Sequence, residues 1–227
     1  MTARGTVGAS GPWITFEGVE GTGKSTQLER LGRRLVARGR SVVVTREPGG
    51  TGLGRRLRGV LLEPAEPPMD AFAELLLYTA DRAQHLAEVV LPALDAGRVV
   101  LCDRYLDATL AYQGHARGLG FARVLELHRT PPLDARPQRT LLFDMDPAVA
   151  LGRARRRNAS AASGEREDRF ERERIEFHRR VREGYLMLAE REPTRIRLID
   201  AAGEAQEVER AVCRQLADIF PELGSGE

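Results

Sequence analysis

Short apolar runs alternate with longer amphipathic stretches along the whole chain. "WITFE" (13–17), "SVVVT" (41–45), "RVVLCD" (98–103), "RTLLFD" (139–144) and "RIRLID" (195–200) have the length and composition of buried strands. Between them the apolar positions take helical spacing. In "KSTQLERLGRRLVARG" (24–39), Leu28, Leu31, Leu35 and Val36 fall on one face and Gly39 is a natural stop. Further helices are predicted over 52–63, over 70–95 with a bend at Pro92, over 121–129, from Pro147 to 157, over the charged stretch 166–193, and over 204–220. "EPAEPPMD" (63–70), "TPPLDARPQ" (130–138) and "NASAASGE" (158–165) read as loops. Apolar strands alternating with helices predict an α/β fold, a five-stranded parallel sheet flanked by helices on both faces.

Composition narrows the function classes. A length of 227 residues suits one domain. It is placed at 13–220, with tails at 1–12 and 221–227. Hydrophobic residues at 42% and charged residues at 30% fit a soluble globular chain. A net charge of only +2 gives no support for nucleic-acid binding. Cys102 and Cys213 read as buried small hydrophobes rather than a disulfide pair. No run approaches the ~18 apolar residues of a membrane span. The first residues lack the apolar core of a secretory signal, so a cytoplasmic location is expected.

One residue stands apart. Among 35 basic residues Lys24 is the only lysine. It lies in "GVEGTGKST" (18–26), where Gly18, Gly23, Lys24 and Ser25 match G-x-x-x-x-G-K-[ST] between a predicted strand and a predicted helix. Glycines let such a loop turn its N–H groups onto phosphate oxygens, and the following helix adds its positive end. The lysine reaches the outer phosphates and the Ser25 hydroxyl can ligate Mg²⁺. A compact ammonium fits inside a backbone cradle where a planar guanidinium does not. The absence of any other lysine excludes the Asn-Lys-x-Asp segment of guanine switches. The strand ending at Asp103 supplies one carboxylate for the Mg²⁺ shell, and the adjacent Arg104 points to a second anionic group.

"EGVEGTGKST", "REPGGT" (46–51), "YTADRAQH" (78–85), "DRYLDATLAYQG" (103–114) and "DRFERE" (168–173) occur in that order. From about Trp13 to Phe220 the chain resembles the bacterial thymidylate kinases, nucleoside monophosphate kinases of the P-loop NTP hydrolase fold. The resemblance implies transfer of a phosphoryl group from ATP to dTMP, with Mg²⁺, in a homodimer. The alternative within enzymes is another P-loop kinase acting on dUMP, dCMP or a deoxynucleoside. A P-loop module that binds ATP and regulates a partner is the reading from another class, and a second phosphate clamp argues against it.

The acceptor is already an ionised phosphate, so no general base is required, and catalysis is positioning plus charge neutralisation. By resemblance, Gly18, Val19, Glu20, Gly21, Thr22, Gly23, Lys24, Ser25 and Thr26 hold ATP. Ser25 and Asp103 hold Mg²⁺. Arg104 clamps the acceptor phosphate, with Arg46 and Pro48 beside it. Tyr78, where relatives usually have Phe, stacks on the base, and Arg82 bonds its edge. Thr109 and Gln113 sit near the base, Tyr112 packs on the sugar, and Glu20 reaches the sugar or the Mg²⁺ shell. Ala108 stands where many relatives have Ser. The loop carries no arginine, so catalytic charge is expected from a lid at about 153–169, from Arg153 or Arg157 before Arg156, Arg166 and Arg169. His115, His128 and His178 lack metal-ligand spacing and read as structural; Asp81 and His85 read as supports.

Overall fold

The computed structural model describes residues 11–64, 66–160 and 169–224, with the side chains of 157–160 outside that description. The elements are β1 (Trp13–Glu17), α1 (Lys24–Val36), β2 (Val42–Arg46), α2 (Gly52–Leu62), α3 (Ala71–His85), α4 (Leu91–Asp95), β3 (Val99–Asp103), α5 (Leu106–Thr109), α6 (Phe121–Leu127), β4 (Arg139–Asp144), α7 (Pro147–Ser160), α8 (Ile175–Arg191), β5 (Ile196–Asp200) and α9 (Ala205–Gln215). All five expected strands form, with starts shifted by at most one residue. They build one parallel sheet in the order β2-β3-β1-β4-β5.

Burial follows position in the sheet. Every residue of central β1 is buried, whereas Val44 on edge strand β2 and Leu198 on edge strand β5 are exposed. Helix α1 packs with α9 on one side, and α8 lies against β4, β5 and the 110–116 segment on the other. The α1 leucines Leu28, Leu31 and Leu35 are buried as expected, each contributing about 1.5–3 kcal/mol. Val36 departs from expectation: it is exposed at the edge of that stripe. Phe16 of β1 and Phe143 of the neighbouring β4 stack on one face of the sheet.

Several boundaries differ from the sequence reading for identifiable reasons. The 70–95 helix is one rod with a π segment at Leu86–Val90, just before Pro92. Widening the hydrogen bonding there accommodates a residue that has no N–H. Residues 106–116 form a short helix and a π turn, where no helix was expected. The charged stretch 166–193 is not one helix; α8 begins at Ile175, after turns, because Arg169 is tied to Leu62 of α2 and Glu74 of α3 while Phe170 packs on Tyr112 and Phe177. Pro221–Leu223 is a packed turn rather than a tail: Leu223 is buried and Arg38 donates to the Glu222 carbonyl. At the other end, Gly11 and Pro12 are bonded to Leu94 and Val100.

The five strands run parallel, so their carboxyl ends share one edge, and Glu17, Arg46, Asp103, Asp144 and Asp200 end them there. Ligands of open α/β sheets bind outside that edge.

Candidate active site

The loop after β1 is held by its own side chains. Thr22 Oγ1 donates to the Val19 carbonyl, and Lys24 Nζ donates to the carbonyls of Gly18 (3.0 Å) and Val19 (2.7 Å). Gly23 takes the N-cap of α1 in a left-handed conformation and gives no side-chain cap. The first N–H groups of α1 are thereby left for an anion. Gly21 is left-handed as well, and a Cβ there would lie 1.9 Å from the Ala150 carbonyl oxygen of α7. Burial, reinforced by Arg104, pushes the Lys24 ammonium down to about 8.

Ser25 and Asp103 meet as expected. Ser25 Oγ donates to Asp103 Oδ2 at 2.9 Å, while buried Oδ1 has no partner. Among the described residues no group of three or more His, Cys, Asp or Glu side chains could hold a metal. A hydroxyl and one carboxylate oxygen instead suit Mg²⁺, which keeps several waters and shares phosphate oxygens.

Arg104 follows directly on Asp103. It is the one non-glycine residue with positive φ (68°) among the described residues. Strain of this kind persists only where the surroundings over-determine it. Here the Arg104 N–H bonds the Phe16 carbonyl and the Tyr105 N–H bonds Glu17 Oε1, fastening the turn to β1. The guanidinium donates to Glu20 Oε1 and to Tyr185 Oη (3.2 Å), and lies 5.0 Å over the Tyr112 ring. Tyr185 in turn donates to Glu17 Oε2 at 2.7 Å. The two carboxyls respond oppositely. Burial, with the Asp107 charge, pushes Glu17 up to about 8. Burial also acts to raise Glu20, but Arg104 and Lys24 outweigh it and hold Glu20 at about 2.

The far end of the site is built on α3 and the 106–116 segment. Arg82 is almost wholly buried yet has three protein partners, each at 2.9 Å: Glu47 Oε2, His128 Nε2 and Thr109 Oγ1. A guanidinium has five N–H groups, so two remain on its terminal nitrogens. His85 bonds both Glu47 and Thr45, and Asp81 accepts from the Gly49 N–H, as expected of supports. His128 is pushed down to about 4 by burial and by Arg82, so it faces that cation as a neutral ring. Gln113 Nε2 donates to Glu74.

These groups open onto one cavity of about 1130 Å³. Its lining combines Glu20, Gly21, Gly23, Lys24, Ser25 and Thr26 from the loop and the start of α1, Arg46, Pro48, Asp103 and Arg104 from the ends of β2 and β3, and Tyr78, Arg82, Thr109, Tyr112 and Gln113 from α3 and the 106–116 segment. Gly18, Val19 and Thr22 lie behind the loop surface. Arg153 is not brought to the cavity: its guanidinium donates to the carbonyls of Ala201 and Ala202 after β5. Arg169 faces Glu74 and donates to the Leu61 carbonyl. The Arg157 side chain and Arg166 lie outside the described residues. The sequence reading missed Arg58 and Arg172, which also line the cavity, and Glu17, Glu74 and Tyr185 behind it. Arg58 on α2 donates to the Pro48 carbonyl, and nothing in "GRRLR" sets it apart from Arg55 and Arg56.

Known proteins are similar to this chain over nearly its whole length. The family profile described as thymidylate kinase matches residues 16–212. The thymidylate kinase of Solidesulfovibrio magneticus is 54% identical over 200 residues, covering 88% of this chain and 96% of its own. That of Syntrophotalea carbinolica is 53% identical over 196 residues, covering 86% and 90%. The crystal structure of thymidylate kinase from Ehrlichia chaffeensis aligns with a TM-score of 0.73 at 30% identity, over 91% of this chain and 99% of that one. With the Lys24 loop and Arg104 on one cavity, this similarity across nearly the whole length establishes that the chain belongs to the thymidylate kinase family.

Proposed function

We propose how this member of the family carries out its reaction, the phosphorylation of dTMP to dTDP in the supply of dTTP. ATP binds with its phosphates on the loop Gly18–Thr26 and on Lys24. The acceptor phosphate of dTMP sits against Arg104, with Arg46 and Arg58 nearby and Pro48 forming the wall. Thymine lies on Tyr78, with Arg82, Thr109 and Gln113 along its edge and Tyr112 under the sugar. Ser25 and Asp103 would hold Mg²⁺, which when bound neutralises charge on the phosphates. Glu20 holds Arg104 in the plane of the site and exchanges that contact for one with the sugar as the acceptor phosphate arrives. Nothing in this scheme removes a proton, because the acceptor oxygen is already ionised. Single-domain organisation with a lid near 153–169 fits the scheme, and with Arg153 engaged elsewhere Arg157 becomes the favoured lid candidate, before Arg156 and Arg166. We assign the enzyme to the cytoplasm, with ATP and dTMP as partners; among the described residues no helix is long and apolar enough to cross a membrane.

The observation that carries this reading is the convergence of Lys24, the Ser25–Asp103 pair and Arg104 on one cavity whose far end holds Arg82 and Gln113. The test is ADP release with dTMP, dUMP, dCMP, dGMP and thymidine as acceptors, in the native chain and in Arg104→Ala. Preference for dTMP, and a loss in the variant confined to dTMP affinity, support it. Equal loss toward ATP and dTMP contradicts the clamp. A homodimer is proposed on the exposed apolar face of α3: Phe72 and Leu76 are 40% and 44% exposed, with Val60 of α2 and Leu125 of α6 also exposed. Light scattering at the monomer mass would refute it.

A further inference from the structure

Glu74 is a carboxylate with no exposed surface, one turn before Tyr78 on α3. It does not line the cavity, and the scheme above gives it no work. Its surroundings are specific. Gln113 Nε2 donates to its Oε1 at 2.6 Å. On the other side, Arg169 Nη1 lies 2.7 Å and Arg117 Nη2 3.5 Å from Oε2. These two contacts are ion pairs rather than well-directed hydrogen bonds, for Oε2 has no partner of hydrogen-bond geometry.

A carboxylate between two guanidinium groups accepts and does not donate. The end of Gln113 that faces it must therefore be the NH₂. An amide has one donor end and one acceptor end, so fixing one fixes the other. Gln113 lines the cavity, and its Oε1 has no hydrogen-bond partner among the described residues. The oxygen is thus the polar atom that Gln113 has left to offer a ligand. Arg82, at the same end of the cavity, has only donors to offer. The edge presented to a base is one acceptor beside donors.

That edge has a chemical complement. A pyrimidine imide, as in thymine or uracil, carries an N3–H donor next to the O4 acceptor. Cytosine reverses both, with an N3 acceptor next to the N4 amino donor. We infer that Glu74 is a positioning residue that sets the polarity of the Gln113 amide, and that this makes the site select imide pyrimidines over cytosine. Sites whose buried polar groups are left unpaired by the wrong substrate discriminate strongly. The inference rests on the placement of the base at Gln113 proposed above.

The test is the ratio of kcat/KM for dTMP to that for dCMP. Glu74→Gln keeps the shape but accepts either end of the Gln113 amide. The ratio should fall tenfold or more, through a higher KM for dTMP and a gain for dCMP, with KM for ATP unchanged. An unchanged ratio, even with a lowered melting temperature, would mean that Glu74 only anchors Arg169, and the inference fails. Glu74→Met combined with Arg169→Met removes the carboxylate with its nearest cation, and is the variant to use if Glu74→Gln does not fold. The same fall in the ratio is expected of it, and the same constancy overturns the inference. Gln113→Ala separates the two levels: if it leaves KM for dTMP unaltered, the base is not at Gln113 and the site assignment itself is wrong.

Discussion

Removing one oxygen, by Tyr185→Phe, tests how Arg104 is held. The Tyr185 hydroxyl donates to Glu17 and accepts from Arg104 Nη1, so the substitution breaks both bonds. The Arg104 bond involves a charged donor, worth about 1.5–3 kcal/mol. At 1.4 kcal/mol per decade, the low end predicts about a tenfold rise in KM for dTMP. Glu20 and the Tyr112 ring still hold the guanidinium, which limits the loss. On the other side, Glu17 retains the Tyr105 N–H but loses its second donor. An unsatisfied buried acceptor costs about 1–3 kcal/mol, a lowering of the melting temperature by several degrees in a chain this size. Initial rates with dTMP varied at saturating ATP, then the reverse, give the two KM values, and a thermal melt gives the stability. A lowered melting temperature with both KM values unchanged would refute the reasoning, because Tyr185 would then be a core residue without hold on the clamp.

Glu17 should leave a signature in stability against pH. Its carboxyl ionises near 4.5 when free and near 8 when folded, so the folded chain binds the extra proton in between. Stability from this group is full below about 4.5 and is lost as pH rises toward about 8. Glu17→Gln removes that slope, so urea melts should show the variant gaining on the native chain by roughly 2–4 kcal/mol across the window; a constant difference contradicts the assignment. Gly21→Ala places a Cβ 1.9 Å from the Ala150 oxygen and should cost about 3 kcal/mol or more, whereas Gly23→Ala meets nothing within 4 Å and should cost only the left-handed strain of about 1–2 kcal/mol. Equal losses in urea melts would show that α7 yields freely. Arg82→Met strips buried Glu47 of its cation and should destabilise by about 3–5 kcal/mol; a melt within about 1 kcal/mol of the native chain means that Glu47 does not depend on it.

The sheet was legible because its strands are short apolar runs, and the phosphate loop because four residues within eight carry it. The Ser25–Asp103 pair was legible for a related reason: both residues end or follow strands that a parallel sheet brings together. What the sequence hides is contact between distant segments. Tyr185 is 81 residues from Arg104, and Gln113 is 39 from Glu74, with no local pattern to mark either pair. The 110–116 segment hides because a π turn breaks the spacing by which helices are read. Among the arginines of "RARRR" no spacing says that Arg153 turns to the carbonyls after β5.

The contact between Gly21 and Ala150 has an evolutionary side. In this chain a side chain at position 21 comes at a cost in stability, because the backbone of α7 occupies its place. Descendants that placed any larger residue there would have to shift the helix as well, so the two positions are bound to change together.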